Sequence, residues 1–237
     1  MLQPAINTKK QHTHGFTLTE VAIVLLIIGL VAASMLGPLS KQIEQKRISE
    51  TQKLLDDNRD ALLGFAASHG YLPCPAVSAT DGTEGPRSGG VCNNLRGYLP
   101  WVVLGTTKSD SWGRLLRYSV TSQFANSAVK PPFSAAGAYT IVSSSSPVTN
   151  LATLVPVVIL SHGANGNGAT LDNGTPTTNP SSTNVDEQTN LTSTTTFVSR
   201  VPTENAAATG GEFDDIVTWI SVPILFNRMV TAGQLPG

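Results

Sequence analysis

Four acids, Asp186, Glu187, Asp214 and Asp215, are the residues whose type and pairing could most directly do chemistry, by holding a cation. Carboxylates with loop carbonyls suit Ca2+, a hard ion that takes six to eight oxygen ligands. Acids beside a strand also cap turns and solvate loop ends, which is their commoner work. The run Gly163–Gly174, GANGNGATLDNG, is rich in glycine and asparagine. It is one stretch without a period, so it reads as turn chemistry and not as a calcium repeat. Ser161 and His162 are adjacent, but no Gly-x-Ser-x-Gly elbow accompanies them and no Ser, His and Asp order stands out, so a hydrolase is not supported. No phosphate loop, zinc signature or dinucleotide fingerprint is present. No cofactor is assigned: calcium is a candidate at the four acids, and turn capping is the preferred reading of them.

Two further sets carry chemical meaning. Cys74 and Cys92 lie close together in a Gly- and Pro-rich stretch, a spacing that closes a small loop as a disulfide in an oxidising compartment. The alternative is a pair of free or metal-binding thiols. Against metal, there is no second cysteine pair, and His12, His14, His69 and His162 show no ligand spacing. Glu20 sits one turn inside an apolar helix, where an ionised carboxylate is costly. A plain membrane anchor gives no reason for it.

The elements that must position these residues begin with a polar stretch, residues 1–15, carrying Lys9 and Lys10. The run VAIVLLIIGLVAASML, residues 21–36, comes next. With its flanks, residues 16–39, it approaches the ~20 residues needed to span a bilayer. The order of charge and grease keeps the N-terminus cytoplasmic and exports the chain beyond the run. Gly37 and Pro38 predict a kink and not an end. Residues 40–68 then read as an amphipathic helix, with Leu39, Ile43, Leu54, Leu55, Leu62 and Phe65 at mostly helical spacing among charged residues. One helix from about Thr17 to about Ala67 would be on the order of 75 Å long at 1.5 Å per residue. It ends at His69-Gly70, and Pro73 and Pro75 forbid its resumption.

Residues 69–237 read as a β-rich globular domain. Short apolar runs predict strands at Trp101–Leu104, Leu115–Val120, Ala138–Val142, Val155–Leu160, Thr196–Val201 and Ile216–Ser221, most simply one antiparallel sheet. Residues 163–195 are too polar to fill a core and predict a long surface loop. Pro223–Ala232 predicts a closing helix. Trp101, Trp112 and Trp219 are assigned to core packing. A formal charge of −1 with 13% charged residues excludes a nucleic-acid or anionic-surface binder driven by bulk electrostatics.

A secretory signal peptide would place cleavage at Ala32-Ala33-Ser34. The long polar stretch ahead of the run and the helix that continues past that point argue against it. The segment KKQHTHGFTLTEVAIVLLIIGLV instead resembles the class III leader and N-terminal helix of type IV pilins and type II secretion pseudopilins, most strongly over Lys9 to about Pro38. The resemblance implies a pilin-like α+β fold, with a long N-terminal helix packed on an antiparallel sheet. It implies cleavage after Gly15 and N-methylation of Phe16 by a prepilin peptidase, glycine allowing close approach at the scissile bond. Glu20 matches the family's glutamate that pairs with the free amine of a neighbouring subunit.

On this reading the protein is a structural subunit and not an enzyme. It is held in the bacterial inner membrane with its C-terminal domain periplasmic, and then enters a pilus or pseudopilus with other subunits. The stretch YLPWVVLGTTKSDSWGRLLRY is similar to the pseudopilin segment in which an Asp-x-Trp-Gly turn, here Asp110–Gly113, leads into the sheet. Major pseudopilins usually have proline where this chain has Ser111. The large body and polar loop favour a minor pilin or pseudopilin. Some major pseudopilins use calcium in their C-terminal loops, which bears on the four acids. The alternative class is a membrane-anchored periplasmic enzyme or ligand-binding module with an uncleaved anchor.

Overall fold

Leucine and alanine are the commonest residues of the first third of the chain, and both are strong helix formers. A computed structural model describes residues 15–235, apart from the side chains of residues 33–38. The leader, with Lys9 and Lys10, lies largely outside the described residues. Helix α1 runs Leu18–His69 and passes through Gly37 and Pro38 without ending. It stops where Gly70 turns away with its N–H still bonded to the Ala66 carbonyl at 2.8 Å. The division between two compact units falls inside it, between Glu44 and Gln45.

In the first unit every described side chain from Gly15 to Ala32 is exposed. In the second, α1 buries Thr51, Leu55, Asn58, Leu62 and Ala66, whose spacing of three and four keeps them on one face. The strands of this unit, in chain order, are β1 (Arg87–Ser88), β2 (Val91–Cys92), β3 (Arg96–Tyr98), and, after the short helix α2 (Trp101–Leu104), β4 (Arg117–Val120). Then come β5 (Tyr139–Ser145), β6 (Val148–Val155), β7 (Val157–Ser161), helix α3 (Val185–Thr192), β8 (Thr196–Val198), β9 (Ile216–Ile220) and helix α4 (Val222–Thr231).

Strands β3, β4, β7 and β9 form an antiparallel sheet in that spatial order. Its Tyr118, Val120, Val157, Ile159 and Ile220 pack in one cluster with Leu55 and Leu62 of α1 and Leu225, Phe226 and Met229 of α4. A second sheet has the order β6-β5-β8. Cys74 and Cys92 form a disulfide and are both buried, tying the segment after α1 to β2.

The structure corrects three expectations. Trp101–Leu104 is a helical turn and not a strand, because Pro100 starts it and Gly105, at φ 66°, closes it with an N–H to the Trp101 carbonyl. The sheet is not one antiparallel unit, since β8 pairs with β5 in parallel. The polar tract 163–195 is not simply a surface loop. It contains α3, and Asn184, Asp186, Glu187 and Asn190 within it are buried. Hydrogen bonds take the place of the missing apolar side chains.

The Asp110–Gly113 turn is fastened on three sides. Asp110 Oδ1 accepts the N–H groups of Trp112 and Arg114, each at 2.9 Å, and Oδ2 accepts the Ser161 hydroxyl at 2.7 Å. Ser111 donates its N–H to Thr51 Oγ1 on α1 at 3.2 Å. A proline at 111 has no N–H to give. Thr51 is 0% exposed, so Ser111→Pro leaves a buried oxygen without that donor. The expected loss is about 1–3 kcal/mol of stability. Denaturant unfolding of the two forms checks it, and unchanged stability would show the helix–turn bond to be dispensable.

Candidate functional site

Two places in the chain gather the residues singled out by type. The first is the start of α1. Glu20 Oε2 accepts the Thr17 N–H at 2.8 Å and the Thr17 hydroxyl at 2.8 Å, while Thr17 Oγ1 accepts the Glu20 N–H at 3.3 Å. This reciprocal pair is a capping box, and its sequence signal is Thr17-Leu18-Thr19-Glu20, which hydropathy alone does not reveal. Gly15 and Phe16 precede the helix, with Phe16 86% exposed. A Cβ on Gly15 would meet nothing within 4 Å, so among the described residues no packing requires glycine there.

Beyond the cap, Val21, Ile23, Val24, Leu25, Leu26, Ile27, Ile28, Leu30 and Val31 are all exposed. Their spacing puts apolar surface on every side of the helix. Among the described residues no helix is long and apolar enough to cross a membrane. The segment that the sequence assigns to a bilayer, 16–39, includes the side chains of 33–38, which lie outside the described residues.

The second place lies in the globular unit. Glu187 on α3 and Asp214 and Asp215 ahead of β9 each bring a carboxylate oxygen to within 4.8 Å of the other two. Three asparagine amides hold Glu187: Oε1 accepts Asn165 Nδ2 at 2.7 Å, and Oε2 accepts Asn167 Nδ2 at 3.2 Å and Asn184 Nδ2 at 3.4 Å. Asp214 Oδ2 accepts the Asn165 N–H at 2.5 Å. Asp215 Oδ2 accepts Asn190 Nδ2 at 2.8 Å, and Asn190 also bonds both backbone groups of Val198. Gly163 makes the approach possible: at φ 54° it lies so close to Asp214 that a Cβ would strike the Asp214 backbone. Arg114 donates to the carbonyls of Gly163 and Ala164 from the other side.

Asp186 is not part of this set. Its Oδ1 accepts the Ser145 N–H at 2.8 Å and the Ser145 hydroxyl at 2.5 Å, and its Oδ2 pairs with Arg200 Nε at 2.6 Å. The asparagines Asn165, Asn167, Asn184 and Asn190 are functional neighbours that sequence alone leaves in turns and loop. The signal for Asn165 and Asn167 is the alternation of asparagine with glycine in GANGNG; Asn184 and Asn190 lie outside that run. Ser161 and His162 do not form a nucleophile and base. The serine hydroxyl is committed to Asp110, and His162 points its Nδ1 at Asp215 Oδ1, 3.4 Å away.

Residues 10–36 match the prokaryotic N-terminal methylation motif, the motif of type IV pilins and pseudopilins. No curated protein and no solved structure matches the chain.

Burial raises the Asp214 carboxyl from the usual carboxylate range to about 7, with Asp215 and Glu187 pushing the same way and the Asn165 N–H and Arg114 opposing. A carboxyl whose folded pKa lies above its unfolded value gives stability that is present below the unfolded pKa and lost as pH rises through the folded one. In chelator, the stability of the natural chain relative to Asp214→Asn should therefore fall as pH is raised from about 4 to about 7, and level off above. Thermal unfolding of both proteins across that range checks it. Parallel curves would show that Asp214 titrates as an ordinary acid.

Proposed function

We propose that this chain is the precursor of a structural subunit of a type IV pilus or type II secretion pseudopilus, a minor pilin or pseudopilin. In this reading it is cut after Gly15 and N-methylated at Phe16 before assembly. The observation that carries the reading is the methylation motif over residues 10–36, set at the head of a capped helix whose apolar surface is bare. A helix that is apolar all round needs lipid or other helices as its surroundings. The inner membrane supplies the first, with Lys9 and Lys10 on the cytoplasmic side and the globular unit in the periplasm. Packing against the same helix of other subunits supplies the second. The disulfide suits that oxidising compartment.

Each motif residue then has a role. Among the described residues nothing packs against Gly15, which is consistent with a glycine kept for the prepilin peptidase. Phe16 is exposed ahead of the first turn, where a peptidase and methyltransferase reach it. Glu20 caps its own helix through Thr17 before assembly, and a neighbour's free amine offers the charged partner that strengthens such a bond. The commitment of Ser161 to Asp110 favours a scaffold over an anchored hydrolase.

Mass spectrometry of the full chain, co-expressed with a prepilin peptidase, should find an N-terminus at a methylated Phe16, and Gly15→Val should retain the leader. An N-terminus at Ser34, or unchanged cutting of the variant, would sink the processing role. Glutamine at position 20 keeps the capping box but removes the charge. Glu20→Gln and Glu20→Ala should therefore both insert into the membrane and both incorporate poorly into filaments. Normal incorporation of Glu20→Gln would reduce Glu20 to a helix cap.

A further inference from the structure

Glu187, Asp214 and Asp215 carry more negative charge than the protein around them answers. Glu187 is 0% and Asp215 3% exposed, and among the described residues none of the three has an ion pair with lysine or arginine. The guanidinium of Arg114 lies near Asp214 but directs Nη1 and Nη2 to two backbone carbonyls. Hydrogen bonds from Asn165, Asn167, Asn184 and Asn190 orient the carboxylates without neutralising them.

A second observation points into the same space. Asp214 Oδ1 and Asp215 Oδ1 are shut off from solvent and have no hydrogen-bond partner. His162, 1% exposed, aims Nδ1 at Asp215 Oδ1 from 3.4 Å, and neither of its ring nitrogens has a hydrogen-bond partner. A buried oxygen left in this way is costly, and a fold does not accumulate several in one place without something to meet them.

We infer that Glu187, Asp214 and Asp215 hold one hard divalent cation of the size and chemistry of Ca2+. The ligand set is all oxygen, which suits Ca2+ or Mg2+ over the softer transition metals. Hydration separates those two: Mg2+ dehydrates reluctantly and is usually held by one or two carboxylates with several waters, whereas Ca2+ accepts a shell built largely from protein oxygens. Three carboxylate oxygens within 4.8 Å of one another, two of them on buried residues, fit the second pattern. His162 then acts as the outer partner that orients a ligating carboxylate. The ion ties α3 to the segment entering β9 and, through Asn165 and Asn167, to the turn after β7. The inference concerns the globular unit alone and is independent of the role proposed for the N-terminus.

The test uses the full-length chain in detergent, stripped with EGTA at pH 7.5 and followed by thermal unfolding. Millimolar CaCl2 should raise Tm by about 5–10 °C, the shift expected for an ion at roughly a hundred times its Kd. MgCl2 should give less than half of that. Asp214→Asn, nearly isosteric at a partly exposed position, should lose most of the Ca2+ shift while its ion-free Tm rises. Calorimetric titration with CaCl2 should count one ion per chain of the natural protein, a reading that needs no variant. No Tm shift with no binding heat, or a shift as large in Asp214→Asn as in the natural chain, overturns the site. Equal stabilisation by Mg2+ overturns the choice of ion.

Discussion

One stripe on one helix organises the globular unit. Thr51, Leu55, Asn58, Leu62 and Ala66 give α1 a face to bury, and the four-stranded sheet forms where that face needs a surface. The stripe is not wholly apolar, and its two polar members do specific work. Asn58 returns its amide to the Leu54 carbonyl of its own helix, while Thr51 accepts the Ser111 N–H. The helix is thus held to the sheet by non-directional burial along most of its face and by one directed bond at Thr51. That bond fixes the Asp110 turn, and the turn passes the constraint to β7 through Ser161. Register along the helix and the position of β7 are linked by three side chains.

The polar tract after β7 is stabilised by a different physics. With almost no large apolar residues it cannot be held by burial, yet Asn184, Asp186, Glu187 and Asn190 are inside the fold. Their hydrogen bonds are made chiefly to charged acceptors, and such bonds are roughly twice as strong as neutral ones. Two separate carboxylate centres result. The Asp186 centre is closed by Arg200, which also lies over the Phe213 ring. The Glu187 centre has amide donors in place of a counter-charge. Adjacent residues on one short helix therefore sit in opposite electrostatic situations: Asp186 has an arginine counter-charge, and among the described residues Glu187 has none.

That contrast also explains how far sequence reasoning reaches. The coarse plan is legible: a long helix, its end at Gly70, a strand-rich body and a closing helix all come from hydrophobic period and from proline and glycine. The local outcome at Trp101–Leu104 is not, because four apolar residues suit a strand or a helical turn equally and the flanking Pro100 and Gly105 decide it. The parallel partner of β5 is decided by the return of the chain after α3, a tertiary matter. Among the four acids, sequence proximity groups Asp186 with Glu187. On a helix, however, neighbours in sequence face about 100° apart, so one turns to Arg200 and the other to Asp214. Adjacency along the chain is a poor guide to pairing in space once a residue is helical.

Glu20 and Asp214, in separate units of the chain, can be set side by side. Each is a carboxylate met by hydrogen bonds from its own chain, Glu20 exposed at a helix start and Asp214 partly buried. A capping hydroxyl and a backbone N–H orient Glu20, and a backbone N–H orients Asp214, but dipoles of this kind fix a charge in place without cancelling it. What we propose for each is a full positive charge from outside the chain, and its source depends on the surroundings. For Glu20, at the start of a helix whose apolar side chains are exposed, the proposed source is another subunit. For Asp214, among carboxylates within 4.8 Å of one another inside one folded unit, the proposed source is a small ion. The two geometries thus lead the proposals to a polymer in one case and a metal in the other.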